Sequence, residues 1–155
     1  MPILAWAALP IFFVVAIIVA VSSQLFEPKL LESELVFILP FSLFVFPSFL
    51  EEAFFRGVII PRNTRDQGIG HAIGYLALST ITFVAWHPLN ASTVNPSAAS
   101  LFWDPAFLLI VAVLGATCSF SYIISRSLWV PVLIHWGAVV AWVFALGGRN
   151  LILEA

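Results

Sequence analysis

Residues 35–60 read LVFILPFSLFVFPSFLEEAFFRGVII, and Glu51, Glu52 and Arg56 are the only charged side chains in the stretch. A run this long and apolar crosses a hydrocarbon core of about 30 Å as a helix. A charge at the bilayer centre is nevertheless unfavourable by about 2.5 to 3.5 kcal/mol, so each one needs a partner or a wet cavity. The segment therefore implies neighbours, and with them a bundle rather than a lone anchor. Pro40 and Pro47 predict a kink within it. Glu52 and Arg56 stand four residues apart, share a helical face and are expected to form an ion pair. Glu51 is turned about 100° away and remains free for other work.

The rest of the chain supplies the neighbours. Of its 155 residues, 62% are hydrophobic, 15% aromatic and 9% charged, and its mean hydropathy is +1.09. Soluble domains carry about a quarter charged residues and about half apolar ones. The expected fold class is all-α, a polytopic membrane helical bundle of about five transmembrane helices, integral and multi-pass. Six Lys and Arg against eight Asp and Glu, a net charge of −2, leave no basic surface for a phosphate backbone, which excludes a nucleic-acid partner. The single cysteine, Cys118, excludes an internal disulfide framework and a cysteine-built zinc site.

Outward from residues 35–60 the intervals between charges outline the other spans. Residues 1–26 carry no charge and hold a first helix around 11–21, too long and too poor in positive charge for a cleaved signal peptide. Residues 27–34, with Glu27, Pro28, Lys29, Glu32 and Glu34, read as an interfacial loop or short surface helix. Residues 1–34 are thus a transmembrane helix and loop preceding a four-helix core, 35–155. Residues 62–68 form a polar loop. A third span, 69–87, is expected to end where Pro88 biases its predecessor away from α geometry, which places His87 near a helix terminus. Residues 88–104, with Asn90, Asn95 and Pro96, form the longest connection outside the membrane. Pro105 suits the first turn of a fourth helix reaching about residue 124. The fifth span, 128–146, is stopped by Gly147-Gly148-Arg149-Asn150.

Arg62, Arg65 and Arg126 fall on one side of this bundle and Lys29 and Arg149 on the other, which puts loops two and four in the cytoplasm. The membrane expected is the plasma membrane of a bacterium. Ala112 with Ala116, and Gly115 with Ser119, in helix four, and Gly137 with Ala141 in helix five, carry small residues at the interval that lets membrane helices approach. These two helices are expected to pack together. There is no internal repeat of 20 to 50 residues.

The chemistry concentrates in Glu51, Glu52, Arg56, His87 and His135. His87 and His135 sit on different spans, each in apolar surroundings, and a neutral imidazole offers one donor and one acceptor. A desolvated carboxylate facing imidazoles across a small wet cavity is a general base for a water nucleophile. Glu51, His87 and His135 could equally ligate a divalent metal as two His and one carboxylate. Against these stand plainer readings: Glu52 and Arg56 as a structural pair, His87 as an interfacial residue, His71 as a loop residue, and the six tryptophans as belts or packing. Asn90-Ala91-Ser92 matches a glycosylation sequon. No His-Glu-x-x-His zinc helix, Gly-x-Gly-Asp motif or Gly-x-Ser-Gly turn is present.

Glu51-Glu52-Ala53-Phe54-Phe55-Arg56-Gly57, then Phe83-x-x-x-His87, then Ser127-Leu128-Trp129-Val130-Pro131-Val132-Leu133-Ile134-His135, resembles the CPBP family, also called Abi. These are the type II CAAX prenyl endopeptidases and bacteriocin-processing enzymes. The resemblance covers about residues 40–146 and implies a glutamate-dependent intramembrane endopeptidase that works without a metal or other cofactor on a membrane-associated protein or peptide. By the family pattern Glu51 with His87 activates the attacking water, Glu52 and Arg56 hold the helix, and His135 helps to bind the oxyanion. The pattern carries Asn or Asp four residues after this histidine, where this chain has Val139, which donates no hydrogen bond. Ser119, Ser121, Thr117 and Asn90 are the candidate substitutes.

Two other functions compete with the endopeptidase: a catalytically degenerate membrane scaffold or immunity-type factor, motivated by Val139, and a proton-coupled carrier relaying through buried Glu and His. The carrier is the weaker, since no inverted repeat is present. Helical rise puts Glu51 about 16 Å from Arg62, His87 about 24 Å from His71 and His135 about 14 Å from Arg126. A shared site therefore requires tilt, a kink at Pro40 or Pro47, or a third helix that starts outside the bilayer.

Overall fold

The computed structural model describes residues 3–148. They form an all-helical bundle. A 3₁₀ turn, Ile3–Trp6, leads into α1 (Leu9–Ser23); α2 (Leu39–Leu43), a π-helical stretch Phe44–Phe49, α3 (Leu50–Glu52) and a second π-helical stretch Ala53–Val58 follow; then come α4 (Ile69–Thr93), α5 (Ala99–Phe102), α6 (Pro105–Ser125) and α7 (Trp129–Ala145). Three stretches, Ile3–Ser23, Ile69–Thr93 and Pro105–Ser125, are long and apolar enough to cross a membrane. α7 has 17 residues. The remaining span is compound rather than a single helix, because Phe46 (φ −133°, ψ 121°) leaves helical geometry immediately before Pro47, where the proline ring crowds the α conformation of its predecessor.

α6 is the central helix, with α1, α4 and α7 packed around it. Its start is fixed by Asp104, whose carboxylate accepts from Ala106 N (2.7 Å) and Phe107 N (3.0 Å), with Pro105 in the first turn; both features suit a helix N-terminus. Its end is the left-handed Arg126, φ 55°. One apolar cluster, including Phe12, Leu114, Cys118 and Ile134, joins α1, α6 and α7. Another, with Phe55, Phe83, Leu101, Phe107 and Val111, joins the second π-helical stretch to α4, α5 and α6. α1 turns Ile11, Val14, Ile17, Ile18 and Val21 outward, the apolar exterior that lipid tolerates and water does not. The chain is an integral membrane protein.

The helical break of the second span is compensated from its neighbours. Ser79 Oγ on α4 donates to the Phe55 carbonyl (2.8 Å) and in turn accepts from Ser119 Oγ on α6 (3.2 Å). Trp136 Nε1 on α7 donates to the Pro40 carbonyl (2.9 Å). In lipid, irregular backbone persists only where protein groups satisfy it in this way. Loops two and four meet at one end of the bundle, where Arg126 pairs with Asp66 and Arg65 reaches the Ile124 carbonyl. Residues 27–34 are an extended connection at the other end, with Lys29 N on the Ala145 carbonyl (3.1 Å) and Leu31 N on the Phe144 carbonyl (3.0 Å). Arg149 and Asn150, expected beside Lys29, lie outside the described residues.

Three expectations are corrected. α4 does not stop at His87 but runs through Pro88 to Thr93, because its last turns are held by packing against α5 and the turn before it. A proline inside a membrane helix is tolerated where neighbours stabilise the turn. Residues 88–104 are consequently helical for most of their length, as the end of α4, a 3₁₀ turn and α5. Asn90 lies buried within α4, not on a loop where a sequon would serve. Finally, α6 and α7 do pack together, but not through their two glycines: Gly137 has nothing within 4 Å of its would-be Cβ, whereas a Cβ at Gly115 would sit 3.0 Å from Phe83 Cδ1 and 3.5 Å from Arg56 Nη2. The small face of α6 admits α4 and the arginine.

Gly115→Val, which drives a branched side chain into Phe83 and Arg56, is expected to destabilise the protein by about 1 to 3 kcal/mol. Gly137→Val, into open space, is expected to stay close to wild type in helix-packing stability. Unfolding of both variants in detergent micelles, followed by circular dichroism, checks the contrast.

Candidate active site

The buried charges are organised around Glu52. Its carboxylate is fully buried, and Oε1 accepts from Arg56 Nη1 at 2.9 Å and from His135 Nδ1 at 2.9 Å. Arg56, equally buried, donates through Nη2 to the Gly115 carbonyl at 2.9 Å. Its guanidinium lies 4.5 Å from the centroid of the Phe83 ring, within range of a cation–π attraction. The i, i+4 pair expected from the sequence is present, and it reaches further than one helix. It ties the second span to α4, α6 and α7.

Glu51 takes no part in that pair. Its Oε1 accepts from Trp86 Nε1 at 3.1 Å, and its Oε2 lies 4.0 Å from His135 Nε2. Trp86 was legible only as packing or belt; its indole hydrogen, one residue before His87, holds the carboxylate. His87 Nδ1 is 3.0 Å from the Phe83 carbonyl, and its ring is clasped edge-on by Phe83 and Phe102, with centroids at 5.1 Å in both cases. His135 stands perpendicular to Phe83 with centroids at 5.6 Å. Phe83 therefore touches both imidazoles and the arginine.

These hydrogen bonds fix the tautomers. A backbone carbonyl and an arginine-paired carboxylate are acceptors, so Nδ1 carries a hydrogen in both rings, and Nε2 of a ring in its neutral form presents a lone pair. Glu51, His87 and His135 line a single cavity of about 620 Å³, together with Asn90, Asn95 and Val139. The rest of the lining is mainly apolar and comes from every span, with Phe12, Ala16 and Ala20 of α1 beside Phe107, Ile110, Val111 and Leu114 of α6. The unequal depths counted along straight helices do not keep the three residues apart in the structure.

The other candidates fall elsewhere. Ser119 is committed to Ser79 and Ser121 to the Ala5 carbonyl at 2.6 Å. Thr117 is buried in α6. His71 is exposed and bonds the Gln67 carbonyl in its own first turn. Of the substitute donors named from the sequence, the cavity wall holds Asn90. Among the described residues no three His, Cys, Asp or Glu side chains are grouped as a metal ion would need.

A membrane bundle with a carboxylate and two imidazoles on one cavity wall defines a class of intramembrane sites, and comparison with known families narrows it. Residues 33–144 match the family of type II CAAX prenyl endopeptidases described as Rce1-like. The chain belongs to that family, which is one of proteases. No curated protein and no solved structure matches it.

Removing Arg56 would leave the Glu52 carboxylate buried with only His135, a loss of about 3 to 5 kcal/mol for a broken buried pair. Arg56→Met is expected to show a drop of that size in a detergent unfolding titration. The double variant Glu52→Gln/Arg56→Met, which removes both charges, is expected to recover part of it.

Proposed function

We infer that the protein is an intramembrane endopeptidase that hydrolyses a peptide bond of a membrane-associated protein or peptide with water, using its own side chains and no metal. The observation that carries this reading is the convergence of the Glu51 carboxylate and the Nε2 atoms of His87 and His135 on one cavity. Water directed by two acceptors, Glu51 and His87 Nε2, points a lone pair at a carbonyl carbon. Glu51 removes a proton as the carbon–oxygen bond forms, and the carbonyl electron pair moves onto oxygen. Collapse of this tetrahedral species expels the amine, which takes up the proton, so that peptide and water become acid and amine. His135, its tautomer set by Glu52, faces Glu51 and is placed to pass that proton to the leaving nitrogen. Glu52 and Arg56 support the site and touch no substrate. The apolar wall suits a substrate bearing a long apolar group beside the scissile bond, such as the prenyl chain in the family's description.

Val139 favours a second reading. It lines the cavity one turn beyond His135 and donates nothing, as a degenerate scaffold that has lost the chemistry would allow. The two readings separate on one experiment. Membrane-protein C-termini and peptide fragments are compared between cells making the wild type and cells making Glu51→Gln at equal abundance. The endopeptidase produces termini that vanish in the variant and persist when the membranes are treated with a chelator; the scaffold gives identical termini in both.

A further inference from the structure

Hydrolysis puts negative charge on the substrate's carbonyl oxygen, and that oxygen needs a hydrogen-bond donor aimed at it. Of the polar groups on the cavity wall, Trp86 Nε1 is spent on Glu51 at 3.1 Å, Trp142 Nε1 is closed off by surrounding protein, and Ser42 is exposed on α2. Glu51 is an acceptor. His87 and His135 spend their Nδ1 hydrogens on the Phe83 carbonyl and on Glu52, and His135 Nε2 is engaged with the Glu51 carboxylate at 4.0 Å; Nε2 of a neutral ring is an acceptor. Val139 has no polar atom. Asn95 also lines the cavity, but it stands past the end of α4, eight residues beyond His87, with its amide anchored at Oδ1 by Ser97 Oγ at 2.7 Å.

Asn90 differs from all of these. It is 7% exposed, lines the cavity and follows His87 by three residues on the same helix, so the two side chains share a face with Cβ atoms about 5 to 6 Å apart. Its hydrogen bonds run through the backbone, where its carbonyl accepts from Val94 N (2.8 Å) and Asn95 N (2.9 Å). Its side-chain amide meets no protein partner among the described residues and faces the cavity. A buried amide left this way calls for a ligand or water to complete it. The passage of α4 through Pro88 is what brings it there.

We propose that Asn90 is a catalytic residue, whose Nδ2 hydrogens bind the substrate carbonyl oxygen and hold it as it becomes the oxyanion. The proposal rests on the endopeptidase reading and adds to it the donor that Val139 does not supply. During attack the electron pair of the carbonyl settles on the oxygen beside Asn90, and it returns to carbon when the amine leaves; Asn90 gains and loses no proton.

The test is the initial rate at which Glu51-dependent termini appear in membranes carrying Asn90→Leu or Asn90→Ala at equal abundance with wild type. Leucine keeps the volume without a donor. Alanine, the best helix former, keeps the helix, and thermal unfolding in detergent verifies that each variant is folded. The expected result is a rate lowered about 100- to 1,000-fold, the usual effect of removing one oxyanion donor. A folded variant that works within threefold of wild type, with Glu51 dependence intact, overturns the role of Asn90 and leaves the endopeptidase standing. Absence of any Glu51-dependent termini from the wild type overturns both.

Discussion

Everything around the cavity depends on a single buried carboxylate oxygen. Glu52 Oε1 accepts from Arg56 and from His135, and Arg56 continues to the Gly115 carbonyl and the face of Phe83. One anionic atom thus holds the second span, α6 and α7 in register, with α4 attached through the phenyl ring. In a medium without water the strength of this arrangement lies in what its loss would cost: each partner removed leaves another charge or dipole with nothing to compensate it. Apolar helices slide against one another in lipid with little preference, since lipid tails are as apolar as their side chains. The Glu52 network supplies the preference.

The same network sorts two adjacent glutamates into different roles. Glu52 is fully buried and paired with Arg56, whereas Glu51 faces the cavity, held by the Trp86 indole and standing 4.0 Å from His135. Neighbouring positions on a helix differ by about 100° in direction, and that angle separates framework from reagent. His135 belongs to both sides, with Nδ1 on the framework and Nε2 toward the reagent. Phe83 plays a corresponding apolar part, bracing both imidazoles and the guanidinium at once.

Much of this was legible in the sequence, because charges in an apolar chain have few explanations. The buried pair Glu52–Arg56, the separate direction of Glu51 and the joining of loops two and four at one end follow from spacing alone. What was not legible depended on neighbours far along the chain. Pro88 reads as a stop when only its local backbone cost is counted, yet packing against α5 carries the helix past it and brings Asn90 into the cavity. Trp86 looks like any interfacial tryptophan until Glu51 is opposite its ring nitrogen. Gly115 and Gly137 have the same local signature, and only the position of Arg56 tells which is crowded.

The polar side chains of the cavity come from one part of the chain, and its apolar surface is shared between that part and α1. Glu51, His87 and His135 lie within residues 33–144, the stretch that matches the protease family, whereas Phe12, Ala16, Ile17 and Ala20 belong to α1, outside that stretch. Part of the fit is thereby encoded apart from the reagents, in a helix joined to them by one connecting segment. Changes in the bulk of α1 side chains would reshape the apolar compartment without disturbing a hydrogen bond of the Glu52 network. That share of the cavity's shape is therefore free to change while the reaction performed there stays the same.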